Sequence, residues 1–115
     1  MNRKIDTWTI GAFNSGAGVY SCHNRVVRVM DDGARVVELH GFRVAHITSE
    51  KRVFFSLAGW NSDLTRRTLN SIFETIGAGV VCSRGDIPYY DNTPLNKSKV
   101  YEIKNGCAIE SAWID

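Results

Sequence analysis

No apolar run in this sequence approaches the roughly 18 residues that a bilayer-crossing helix requires, and neither sign of charge dominates it. The formal net charge is +2 over 115 residues and the isoelectric point is near 8.5, well short of the basic excess that makes nucleic-acid binding a default reading. Cysteine is scarce. Cys22, Cys82 and Cys107 lie far apart, without the close spacing of a zinc site. Neither a disulfide framework nor a metal is therefore expected, and each thiol should be reduced and mostly buried, as free cysteine usually is. His23 adjoins Cys22, but adjacent strand residues point to opposite faces, which argues against a Cys–His catalytic pair.

Other absences narrow the chemistry. The histidines, His23, His40 and His46, lack the helical i, i+4 spacing of a metal site. Acidic residues are scattered, so no carboxylate pair for hydrolysis can be argued; Glu38 or Asp86 as a base has no support from pattern. The Gly-rich stretches "GAFNSGAG" and "GAGVVCSRG" run into strands rather than helices, so turn glycines are preferred to a phosphate loop. No cofactor is expected, and the chain reads as a non-enzyme. The N-terminus, "MNRKIDTWTIGAF", is interrupted by Asp6, Thr7, Thr9 and Gly11 where a signal peptide needs an unbroken apolar segment, so a cytoplasmic location is expected. No repeats or low-complexity segments occur.

What is present is the make-up of an ordinary globular domain, 43% hydrophobic and 23% charged. The length suffices to bury roughly two thirds of the unfolded surface around one core, and a single domain over residues 1–115 is expected. Its middle reads as successive hairpins. "VVRVMDDGARVVELH" places Asp31, Asp32 and Gly33 between Val-rich segments, "ELHGFRVAHI" turns at Gly41-Phe42, and "HITSEKRVFFSL" turns near Ser49-Glu50. Counting back from the last two turns pairs Leu39 with Val44 and Val44 with Phe55. Val37, Leu39, Val44, His46, Val53, Phe55 and Leu57 then share one face that needs an apolar cover.

A helix supplies that cover. In "NSDLTRRTLNSIFETIG", Leu64, Leu69, Ile72, Phe73 and Ile76 form one stripe, Asn61 or Ser62 caps the start, Asp63 complements the dipole and Gly77 ends it. The expected fold is α+β: an antiparallel meander of five or more strands, covered on one face by a single helix over about residues 62–76. "TWTIGAFNSGAGVYSC" reads as a short strand and a Gly-rich turn. "GAGVVCSRGD" reads as a strand, "IPYYDNTPLNKS" as a polar loop, and "KVYEIKNGCAIESAWID" as a hairpin turning at Asn105-Gly106, with Trp113 and Ile114 closing the domain.

The helix start is where features converge. Arg66 and Arg67 lie beside Thr65 and the positive helix end. They are either a solvated face or part of a donor cluster that could hold a phosphate or a partner's carboxylate. Trp60, just before the cap, is expected to wedge against the sheet edge rather than act as a platform.

The segments "LHGFRVA" and "FSLAGWNSDLTRRTLNSIF", a G-x-G-V strand start, "YEIKNG" and "SAWID" together resemble a family of small domains encoded by tailed bacteriophages, over residues 36–115. The family pattern favours Thr at the positions of Ser62 and Leu64 and Arg at that of Thr68, a departure next to the arginines. The resemblance implies phage origin and a meander-plus-helix fold, and it implies no activity. By analogy with the many short phage proteins that block host or defence machinery, an interaction or inhibitor module is the leading expectation. The second is a weak nucleic-acid binder using Arg66, Arg67, Lys51 and Arg52, with Trp60, Tyr89 or Tyr90 stacking on bases.

Overall fold

The structure, a computed structural model, describes residues 4–114. Helix α1 (Lys4–Phe13) leads into a meander of β1 (Gly18–Cys22), β2 (Arg25–Val29), β3 (Arg35–Leu39), β4 (Phe42–Ile47) and β5 (Val53–Ser56). Then come α2 (Asp63–Ile76), β6 (Val81–Arg84), β7 (Ile87–Tyr90), β8 (Thr93–Pro94) and a terminal hairpin, β9 (Val100–Lys104) and β10 (Cys107–Ser111). The terminal hairpin returns beside the meander, giving an open antiparallel sheet of seven strands in the order β1-β2-β3-β4-β5-β9-β10. Asn105 and Gly106, with φ of 52° and 77°, form its tight turn as expected.

The meander register differs from expectation, by two residues next to the β3–β4 turn and by one beyond it, and three local features cause it. The β3–β4 turn is His40-Gly41, both left-handed at φ 53° and 81°, so Leu39 pairs with Phe42. The ladder then shifts between Val37 and Glu38, which pair with Ala45 and Arg43 and leave Val44 unmatched. The loop after β4 closes with Lys51 in a left-handed conformation, so Phe55 pairs with Ala45 rather than Val44. A bulge breaks the two-residue alternation. Val44, Ala45 and Ile47 all join the core, whereas His46 turns to the opposite face beside Phe54, their rings 6.4 Å apart.

The apolar stripe of α2 lies where expected. Leu69, Ile72 and Phe73 are fully buried, Leu64 and Ile76 partly so, and Phe55 meets Phe73 edge-on at 5.2 Å. Ser62 is the N-cap, its hydroxyl accepting from the Thr65 N–H, and Gly77 ends the helix at φ 74°. Thr65, Thr68 and Ser71 are buried as well; the hydroxyls of Thr68 and Ser71 donate to carbonyls four residues back.

The cover is two helices rather than one, because the N-terminal segment read as strand and turn is α1, packed against α2 and β2. Its buried face is Asp6, Thr9, Ala12 and Phe13. Half of that face is polar, which hides the helical period, while Thr7, Trp8, Thr9 and Ile10 favour strand locally. Arg35 closes the far end, donating to the carbonyl of Phe13 at 2.5 Å with its guanidinium 5.1 Å from the Phe13 ring.

The expected polar loop at 87–98 contains two strands, β7 and β8, which with β6 form a separate three-stranded sheet. Val81 pairs with Tyr90, and the Asn70 amide on α2 bonds both the N–H and the C=O of Val81, at 2.8 and 2.9 Å. That bidentate contact anchors the small sheet to the helix. Pro94 sits in a two-residue edge strand, where its missing N–H costs nothing.

Candidate functional site

Adjacent arginines at the start of α2 have different environments. Arg67 reaches α1: its guanidinium lies 3.3 Å from Asp6 and 3.4 Å from Asp63, one turn earlier on its own helix. Asp6 is buried and also pairs with Arg25 at 2.9 Å; Arg25 is only 1% exposed and donates to the Thr9 hydroxyl at 2.7 Å. Burial lowers the Arg25 pKa, and the hydrogen bond and charge of Asp6 oppose that shift. The Arg25–Asp6–Arg67 cluster thus joins β2, α1 and α2. Arg66 instead donates to the Asn61 side-chain oxygen at 2.5 Å, and the Asn61 amide donates to the Ser83 hydroxyl and the Asp86 carbonyl, each at 3.2 Å. A chain of polar contacts holds Arg66 beside the β6–β7 turn.

Trp60 is not wedged into the core. It is 47% exposed and Phe42 is 52% exposed, with their rings edge-to-face at 5.1 Å. His40 stands on the same indole at 6.5 Å. Three residues from two segments therefore form one aromatic patch, because the His40-Gly41 turn sets His40 and Phe42 beside the entry to α2. A hollow of about 410 Å³ adjoins it, lined by His40, Trp60, Ser62 and Thr65. Thr65 is buried, its hydroxyl 2.8 Å from that of Ser62. The floor is thus the positive N-terminal turn of α2. Phe42 and His40 escaped the sequence reading; an aromatic immediately after a turn glycine was the one signal available.

The other sequence candidates lie elsewhere. Lys51 and Arg52 occupy the β4–β5 loop, at the opposite end of β4 from Phe42. Arg52 is bidentate to Glu102 at 2.9 and 3.0 Å and lies over the Phe54 ring, and this pairing holds the Glu102 carboxyl below its ordinary pKa. Tyr89 is half-buried under Arg84, whose guanidinium is 4.4 Å from its ring. Tyr90 is buried and its hydroxyl accepts from the Gly79 N–H at 2.8 Å; burial raises its pKa. The structure brings Trp60 and Thr65 together at the hollow, turns Arg66 through Asn61 toward the β6–β7 turn, and keeps Lys51 and Arg52 at the far end of β4.

Cys107 is exposed, contrary to the expected burial, because it lies on the edge strand β10; Cys22 and Cys82 are half-buried. Among the described residues no group of three or more His, Cys, Asp or Glu side chains could hold a metal ion. No helix among them is long and apolar enough to cross a membrane.

An open seven-stranded sheet with two helices on one face and a small second sheet beside α2 makes this a compact α+β protein. The chain belongs to the Kyanoviridae Gp96 protein family, a family of phage proteins whose model matches residues 2–108. No curated protein and no solved structure matches it.

Proposed function

We propose that this phage protein is an interaction module that works in the cytoplasm of the bacterial host, binding and modulating or inhibiting a host or defence protein through the aromatic patch at the start of α2. The observation that carries this reading is the Trp60–Phe42 pair, two large aromatic rings about half exposed on one corner of the molecule. Exposed aromatic clusters mark partner surfaces, and Trp and Arg are the usual anchors of protein interfaces. The hollow beside Trp60 suits an apolar side chain of the partner. The N-terminal turn of α2, with Arg66 beside it, suits a carboxylate next to that side chain.

The nucleic-acid alternative needs a continuous cationic track with aromatic faces along it. Here Arg67 and Arg52 are engaged by carboxylates, Tyr90 is buried, and Lys51 lies at the far end of β4. Those placements favour a protein partner. The test is quantitative capture from host lysate with the natural chain, Trp60→Ala, and Ile109→Ala as an exposed control on β10. Proteins held by the first and third but lost with Trp60→Ala support the proposal. Equal retention by all three, or a salt-sensitive gel shift with DNA or RNA abolished in Arg66→Ala, overturns it.

A further inference from the structure

A cleft of about 750 Å³ opens where the C-terminal end of α2, the β4–β5 loop, β7 and the β9–β10 turn meet. It is separate from the aromatic patch. Its floor is apolar: the cross-strand partners Val53 and Ile103, with Ile76 from α2 and the Tyr90 ring. Val53, Ile76 and Ile103 pack on the core and remain partly exposed on the cleft side. Gly77, Gly79 and Gly106 keep the walls free of side chains. Gly79 has a specific reason: the Asp91 carboxylate lies over it so closely that a Cβ there would overlap.

Two charged side chains stand at the rim, Lys51 and Asp91, on left-handed backbone at φ 71° and 52°. For Asp91 this is ordinary turn chemistry. For lysine it is an uncommon conformation that glycine would adopt without strain. The Lys51 ammonium has no ion-pair or hydrogen-bond partner among the described residues. One Asp91 oxygen accepts from the Val80 N–H at 2.9 Å, which fixes the carboxylate on the wall formed by residues 77–80. That wall also contains the negative C-terminal end of α2, capped at Gly77. The cleft therefore has a negative wall, an unpaired cation on the loop at its rim, and an apolar floor.

We infer that the cleft binds a small zwitterion, a free α-amino acid with an aliphatic or aromatic side chain. Its ammonium group lies toward Asp91 and the end of α2, its carboxylate on Lys51, and its side chain over Val53, Ile76 and Ile103. A simple anion would meet repulsion from the Asp91 wall, a simple cation would leave Lys51 unpaired, and the volume is that of a small-molecule site. Each lost charge-assisted contact should weaken binding by roughly tenfold or more.

Methyl NMR on the full chain tests this, with L-leucine as the probe and isocaproate and isoamylamine as its single-charge counterparts. Leucine should shift the Val53, Ile76 and Ile103 methyls saturably, with both counterparts weaker. Lys51→Gly, which suits the backbone and should fold, should weaken leucine and isocaproate but not isoamylamine. Asp91→Asn, which keeps an oxygen for the Val80 N–H, should weaken leucine and isoamylamine. No saturable shift at millimolar leucine, a counterpart that binds as well as leucine, or unchanged leucine affinity in both variants overturns the inference.

Discussion

Arg67 on α2 and Asp6 on α1, 61 residues apart in sequence, form an ion pair at 3.3 Å. Asp6 in turn carries the buried Arg25. Of two neighbouring arginines with the same apparent prospects, Arg67 is committed to holding the helices together, and Arg66 is held through Asn61 beside the β6–β7 turn. The two positive charges at the start of α2 are therefore turned to different neighbours, one to α1 and one to the small sheet.

Asp6→Ala should destabilise the protein by about 3–5 kcal/mol, because it leaves Arg25 charged and buried without its counter-ion. Arg67→Ala should cost less, since its own side chain is 21% exposed and Asp6 keeps its pair with Arg25. Urea denaturation of the two variants checks the order. A larger loss for Arg67→Ala would contradict it.

Leu69→Ala and Ile72→Ala should each cost about 2–4 kcal/mol, the usual cost of truncating a large aliphatic side chain in a core. Both are fully buried under the sheet. Losses below about 1 kcal/mol in chemical denaturation would show that this face of α2 is not packed as described.

Glu102 gives the stability a defined acid dependence. Its folded pKa lies below the unfolded value because Arg52 holds the ionised form. Its contribution is therefore fully present above the unfolded pKa of about 4.3 and is lost as pH falls through the lower folded value. Denaturation midpoints from neutral pH to about pH 3 should fall more steeply for the natural chain than for Glu102→Gln. Parallel curves would remove Glu102 from the acid response.

Lys51→Gly should stabilise the fold by about 1 kcal/mol by relieving a left-handed lysine, a gain partly offset by the greater freedom of glycine in the unfolded chain. A thermal scan reads the sign. Destabilisation would mean that the lysine side chain supports the loop.

Legibility followed the range of the interactions. Helix α2 could be read because its stripe, its Ser62 cap and its Gly77 stop are all local. Helix α1 could not, because the groups that justify burying Asp6 and Thr9, Arg25 and Arg67, lie on other elements. The meander could be read strand by strand, yet the bulge at Val44 changed which residues faced the core and sent His46 to the other side. β7 and β8 were hidden by Pro88 and Pro94, which suggest loop until β6 and the Asn70 amide are there to receive them. At the candidate site, Trp60 and Thr65 could be named from sequence. Phe42 and His40 join them only through the geometry of the β3–β4 turn.

The most direct measurement is a calorimetric titration of the captured partner, purified, against the natural chain, Trp60→Ala, Phe42→Ala and Ile109→Ala, with thermal unfolding confirming that each variant is folded. If the aromatic patch is the binding surface, Trp60→Ala should lose about 2 kcal/mol, roughly 30-fold in Kd. Phe42→Ala should lose affinity as well, and Ile109→Ala should bind like the natural chain. Equal affinities across all four proteins would contradict the assignment of the partner surface to Trp60 and Phe42.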